Sequence, residues 1–396
     1  VALWIDGALV AGTDARVRAS CAPLHEFEWT TSAPDGWTYT RSGTWLLVDD
    51  ADEATLASYG ANAWGGEMHA DGARYAPIVP GYTNLVTAPR DLASWTGADA
   101  RVTADAATSP DGTTSADRFN QTTTTAGIGR QPSTTAGTTY TITAWLRART
   151  GTAQYQLYVG GATATEFGFA QGTASTAWRR VRITRTIADN NVTLGLNDTR
   201  AFAGVFSGYG PDDVTPAAWV NGPATDCYHD AALWIPSRYV RPFTATTVGN
   251  PVLARAGSRV VAPNGRFDVL ITNGVLKHRE AAAAQTSDGY LLYLDANNHF
   301  RFRASDHKYV LTLGGSAVAA SAAKAYAADH DIGYTRVWSR GNGCGFTVDG
   351  ATVEAAAAAA VTPPATAYLF SNNGSNVFPC DVQLARGARF RALHPA

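Results

Sequence analysis

The feature that most constrains this chain is a period-two alternation of apolar and polar residues, repeated in short runs that end in Gly, Asn, Asp, Thr or Pro. TYTITAWLRAR at 139–149, AQYQLYVGG at 153–161, AWRRVRITRTI at 177–187 and NVTLGLN at 191–197 all show it. A second series follows: RFDVLIT at 266–272, GYLLYLDA at 289–296, HFRFRAS at 299–305, KYVLTLGG at 308–315, GYTRVWSRG at 333–341 and GCGFTVDGATV at 343–353. Alternation of this period places one side of each strand in a core and the other in solvent. Strands of this length without intervening helices build sandwiches or jelly rolls. The chain is therefore expected to be all-β.

Turn chemistry marks the hairpins. Asp295-Ala296-Asn297-Asn298, Asn342-Gly343 and Asp349-Gly350 separate successive runs. The alanine-rich stretches 317–328 and 355–360 read as loops, the second because it runs into Pro363-Pro364. Near the N-terminus, Pro34-Asp35-Gly36 suggests a hairpin between EFEW at 26–29 and WTYTRSGTWLLV at 37–48. DDADEATLASYG at 49–60 suggests a short helix, with early carboxylates at its N-terminus and Gly60 as C-cap. The expected plan is an irregular β-rich attachment region over 1–80, a jelly-roll domain over 81–243 and a second β-sandwich over 244–396.

Composition narrows the function. Of 396 residues, 31 Lys+Arg face 33 Asp+Glu for a formal charge of -2. Without a basic excess the chain lacks the footprint that holds phosphate backbones, so nucleic acid is not an expected partner. No apolar run reaches the roughly 18 residues that span a bilayer, so no membrane insertion is expected. The sequence has no G-x-S-x-G turn and no H-E-x-x-H pair, and its eight histidines read as scattered surface or loop residues. GNGCG at 341–345 neither opens a helix nor carries a Lys-Ser/Thr pair, and reads as a hairpin turn. The chain is not expected to be an enzyme. The four cysteines form no C-x-x-C pair; Cys344 and Cys380 are the two best placed to share a domain and form a disulfide, with free buried thiols the other reading.

Residues 38–120 carry a family resemblance. Thr40, Arg41, Ser42, Asp49 and Asn62 lead to Thr83-Asn84-Leu85 and Trp95, and then to Pro110-Asp111-Gly112-Thr113-Thr114, Ala116 and Asp117. This order resembles an element of structural proteins from tailed phages and related particles, its specific part being 78–119. The chain departs from that pattern at Ile78-Val79-Pro80-Gly81-Tyr82, where the element usually has an apolar strand ending in Glu-Gly. The domain that follows is similar to jelly-roll carbohydrate-binding-like modules, with CYHDAALWIPSRYVRP at 227–242 as its last strand. Residues 264–393 are similar, more loosely, to concanavalin-type or laminin-G-type sandwiches.

The resemblance implies a fibre, head spike or tail fibre of a phage, phage-tail-like particle or gene transfer agent. Such a protein would sit on the virion surface, contact other virion proteins through residues 1–80, and bind host cell-surface polysaccharide, as a homo-oligomer that gains avidity from weak sites. It would be made in the bacterial cytoplasm, since VALWIDGALV at 1–10 has no signal-peptide pattern, and released with the particle. Two other readings are a purely structural collar, decoration or baseplate component and a polysaccharide depolymerase with accessory binding modules. For a glycan, Tyr155 and Tyr158, which strand alternation puts on opposite faces, are candidate platforms, with Gln154 and Gln156 beside them. Trp95, Trp145, Trp178 and Trp234 read as core. The resemblance also implies a structural calcium, for which Asn84, Asp117 and Asp230 are the matching oxygen donors.

Overall fold

The structure is a computed structural model. It describes the backbone of residues 3–5, 8–11, 23–28, 37–42, 45–48, 55–59, 62, 67–68, 74–78, 80–86, 88–95, 102–110, 112–119, 128–130, 133–160, 168–187, 193–197, 227–235, 249–272, 276–279, 285–328, 330–356, 360–383 and 389–393, and the side chains of a narrower set. All regular structure among these residues is β-strand apart from short 3-10 turns, and every strand pairing is antiparallel. The chain divides into two compact units. Residues 1–41, 62–80 and 249–396 form one, and residues 42–61 and 81–248 form the other.

The first unit is a sandwich. Its seven-stranded sheet runs in the order Ser316–Ala320, Lys308–Leu313, Asn298–Arg303, Gly289–Asp295, Thr366–Leu369, Val252–Ala256, Thr38–Thr40. A six-stranded sheet runs Ala351–Ala355, Gly343–Val348, Thr335–Arg340, Phe267–Thr272, Arg389–Leu393, Pro23–Glu28. Phe300 of the first sheet meets Phe346 of the second at 4.7 Å between ring centroids, with both rings fully buried. Phe302, Tyr309, Val337 and Val348 are also buried; such side chains contribute roughly 1.5–3 kcal/mol each on removal from water. Neighbouring strands of the six-stranded sheet come close enough at one point to dictate a residue type: a Cβ on Gly345 would lie 2.2 Å from the Val353 carbonyl oxygen and 3.1 Å from the Trp338 ring. A third sheet, of five strands, contains Leu276–His278, Cys380–Gln383 and Arg74–Ile78.

The N-terminal residues differ from the expected plan of a separate region over 1–80. Pro23–Glu28 pairs with Arg389–Leu393, Thr38–Thr40 with Val252–Ala256, and Arg74–Ile78 with Cys380–Gln383, so these segments complete the sheets of the C-terminal sandwich. The two runs on either side of Pro34-Asp35-Gly36 accordingly lie in different sheets and form no hairpin with each other. Residues 49–60 hold no helix among the described residues. Thr55–Tyr59 is a strand paired with Trp45–Val48, and cross-strand ladder bonds outweigh the local helix signal there. Asn62 and Arg41 bond reciprocally, Asn62 N–H to the Arg41 carbonyl at 2.9 Å and Arg41 N–H to Asn62 Oδ1 at 2.8 Å. Part of the first alanine-rich stretch is also a strand, Ser316–Ala320, which pairs along Lys308–Leu313.

The second unit has a five-stranded sheet, Arg179–Ile187, Thr138–Ala148, Cys227–Ile235, Thr114–Phe119, Val102–Thr108, and a four-stranded one, Ile128–Arg130, Thr193–Asn197, Ala153–Gly160, Gly168–Ala174. Tyr140, Ile142, Ala144 and Leu146 alternate into a core shared with Trp95, Phe119 and Ala174. The strand opening the 227–242 segment, Cys227–Ile235, is central in its sheet, between Thr138–Ala148 and Thr114–Phe119. Trp145 is fully buried. Trp178 departs from its expected core position: its indole N–H donates to the Thr108 carbonyl at 3.1 Å in an exposed setting, with Arg147 over the ring. The side chain of Trp234 lies outside the described residues.

Candidate functional site

A cleft of about 490 Å³ opens on the side of the seven-stranded sheet away from the core. Its position follows from the sequence HFRFR. In Asn298–Arg303, Phe300 and Phe302 point into the core, which leaves His299, Arg301 and Arg303 on the opposite face. The neighbouring strand Gly289–Asp295 supplies Tyr290 and Tyr293. Those positions differ by three, and a regular strand would separate them, but the register shifts between Tyr290 and Leu292. This irregularity brings Tyr290 opposite Arg301 and Tyr293 opposite His299, on one face.

The aromatic side chains pack as a set. Tyr290 meets Tyr293 edge to face at 5.2 Å and His299 at 5.1 Å, while Tyr293 and His299 lie nearly parallel at 6.2 Å. Tyr368, on the next strand, is 6.3 Å from Tyr293. At the rim, the turn 295–298 is fixed by the Asp295 carboxylate, which accepts from Asn297 N–H at 2.7 Å and from Asn298 Nδ2 at 2.9 Å. Asn298 Oδ1 in turn accepts from Gly314 N–H at 3.0 Å. Gly314 and Gly315 have φ of 59° and 79°, the left-handed pair that a two-residue hairpin turn needs. Ordered rim loops and a sheet floor make a preformed concavity.

The charges are spent within the protein. Arg301 pairs with Asp288 at 2.7 Å, and Arg303 grips Asp306 with two bonds of 2.8 and 2.6 Å. Burial, and behind it the Arg301 cation, hold the His299 pKa below the usual histidine value, against the opposing pull of Asp295 and Asp288. His299 is thus a neutral ring near pH 7. Among the described residues lining the cleft none is a carboxylate. Tyr290 and His299 are buried and Tyr293 is half-buried, so Tyr293 is the ring in this cleft that could stack on a sugar face beside amide and guanidinium groups.

The residues expected from the sequence lie elsewhere. Gln154, Tyr155, Gln156 and Tyr158 are on the strand Ala153–Gly160, which pairs regularly with both neighbours, but their side chains lie outside the described residues. Asp117 is buried, and its two oxygens accept from Leu92 N–H at 2.7 Å and Asp105 N–H at 2.8 Å. Asn84 Oδ1 accepts from Val86 N–H at 3.1 Å. Both side chains thus accept from backbone N–H groups; the Asp230 side chain lies outside the described residues. No group of three or more His, Cys, Asp or Glu able to hold a metal forms among the described residues. Of the two readings of Cys344 and Cys380, the structure has the free buried thiols and not the disulfide: they lie on strands of different sheets, and Cys344 Sγ donates to the Ala356 carbonyl at 3.1 Å.

Two histidines also depart from the surface reading, since His278 and His299 are buried. Sequence reasoning passed over Tyr290, Tyr293 and His299. Alternation in HFRFR would have flagged His299; nothing local announces the irregularity that aligns the two tyrosines.

No protein-family model and no curated protein matches the sequence. Solved structures similar to the chain include TmCBM61 in complex with β-1,4-galactotriose, at 13% identity and TM-score 0.27, covering 39% of this chain and 99% of that one. The CBM22-1–CBM22-2 tandem of Paenibacillus barcinonensis Xyn10C aligns at 10% identity and TM-score 0.26 over 77% and 99% of the two chains. Mouse laminin α1 domains LG4-5 align at 12% and 0.21 over 80% and 92%.

Proposed function

We propose that this chain is a non-catalytic glycan-binding protein of a phage, phage-tail-like particle or gene transfer agent, a fibre or spike that attaches to host surface polysaccharide. The observation that carries the binding half is the cleft, where Tyr290, Tyr293 and His299 form an aromatic wall beside Asn297, Arg301 and Asn372 on a preformed sheet face. Such a surface suits a sugar better than a flat apolar partner, because stacking and hydroxyl bonding are offered side by side. Hydrolysis of a glycosidic bond requires two flanking carboxylates, and the described lining offers neither.

The particle half is supported by the phage-like order of residues from Thr83-Asn84-Leu85 to Asp117. Partners in this reading are other virion proteins and further copies of the chain, which would multiply a weak site. Pull-down of the full chain by intact host cells, before and after capsule removal, tests it. Capsule-dependent capture is expected; equal capture by stripped cells, or none by a well-folded chain, would remove host polysaccharide as the target.

A further inference from the structure

On the other sheet of the same unit, two arginines share one carboxylate. In the strand Thr335–Arg340, Val337 and Ser339 are buried in the core, which puts Arg336, Trp338 and Arg340 on the outer face, with Asp268 opposite Trp338 on the neighbouring strand. Asp268 is buried, and Arg336 grips both of its oxygens, Nε to Oδ1 at 2.8 Å and Nη2 to Oδ2 at 2.6 Å. That fork by itself answers the charge of the carboxylate. Arg340 adds a second guanidinium, with Nε 3.1 Å from Oδ2 and Nη2 on the same oxygen. Both cations lie 5.6 Å from the centre of the Trp338 ring.

The surplus cation is within reach of solvent. The Arg340 side chain is 38% exposed, and its Nη1 is accessible and has no partner among the described residues. Arg340 stands opposite Gly343, where the next strand carries no side chain, and a Cβ on Gly341 would meet nothing within 4 Å. Glu354, exposed two strands away from Trp338, makes no ion pair among the described residues. The open end of the Arg340 guanidinium, Nη1 beside the second N–H of Nη2, matches the paired oxygens of a carboxylate or phosphate. Asp268 and Trp338 hold that end in place, which lowers the ordering cost of binding.

Groups suited to a sugar lie along the same face. Tyr334, just before the strand, is 43% exposed, with its hydroxyl beside the Arg336 guanidinium. Thr347, opposite Arg336, shares an exposed hydroxyl bond of 2.9 Å with Thr352. From Tyr334 to Arg340 the chain runs about 20 Å, enough for several sugar units. We propose that this face is a second ligand site, separate from the cleft, that binds acidic glycans: Arg340 takes a carboxylate or phosphate group of the polymer, and Tyr334 stacks on a sugar ring near it.

The test is binding of the full chain to polygalacturonate, to a polymer of sugar phosphates and to neutral dextran, repeated with R340Q, R340K and Tyr334→Ala, each checked by thermal melting. Arg336 keeps its fork on Asp268 in R340Q, so that variant is expected to fold. The expected result is binding to one or both acidic polymers that weakens with added salt, the polymer bound telling a uronate from a phosphate ligand. Affinity should fall about tenfold in R340Q by loss of charge-assisted bonds, less in R340K, which keeps the charge without the fork, and about two- to tenfold in Tyr334→Ala. No binding to either acidic polymer by the folded chain would overturn the proposal. Equal acidic binding in the wild type, R340Q and Tyr334→Ala would overturn it too, as would dextran bound as tightly as the acidic polymers.

Discussion

His278 is the residue whose environment states most about the chain's response to pH. It is fully buried, with Nε2 3.0 Å from Gln285 Oε1 and Nδ1 3.3 Å from the Tyr309 hydroxyl. Burial, helped by His330 and opposed by Gln285, pushes its pKa down to about 3. The unfolded chain takes the same proton near pH 6.5, so between about 3 and 6.5 the unfolded state binds more protons. Its contribution to stability is full above pH 6.5 and is lost as pH falls, by up to about 1.4 kcal/mol per unit. Urea unfolding of the wild type and H278Q between pH 7 and 4.5 should show a slope shallower by about one proton in the variant; equal slopes would contradict the assignment. At the same scale, burial raises the Cys380 thiol well above its usual value. Mass mapping after alkylation should find Cys344 and Cys380 labelled only in denaturant, and a peptide pair linked through them would contradict the free-thiol geometry.

At the scale of elements, turns and alternation were legible and partners were not. The hairpins at 295–298 and 349–350 lie where Asn, Asp and Gly put them, and the turn expected at Asn342-Gly343 falls one residue earlier, at Gly341-Asn342. The strand at 55–59 was hidden because its carboxylate-led sequence satisfies local helix rules, while its pairing with Trp45–Val48 is a property of the folded chain. Tyr290 and Tyr293 were hidden for a related reason, since only an irregular register puts residues three apart on one face. Close approach between elements gives a sharper prediction. Gly345→Ala would force a Cβ against the Val353 carbonyl in a strand interior, and should cost about 1–3 kcal/mol, measured by thermal or urea unfolding; an unchanged midpoint would show that the strand yields there.

For the whole molecule, sequence patterning announced two β-sandwiches but misassigned their parts. Composition does not reveal that residues 23–28, 38–40 and 74–78 supply strands to sheets whose other members begin after residue 249, because antiparallel pairing leaves no mark at such separations. The fragment 249–396 should therefore fail to melt cooperatively by itself, its sheets left with exposed inner edges. Cooperative melting of the isolated fragment at the temperature of the matching transition in the full chain would contradict this. The tyrosine-lined cleft is the proposed place where the chain holds glycan. Calorimetric titration of the full chain and Tyr293→Ala with polysaccharide purified from host cells should give an affinity at least about tenfold weaker in the variant with an unchanged melting temperature; equal affinity in the two proteins would contradict a glycan site in the cleft.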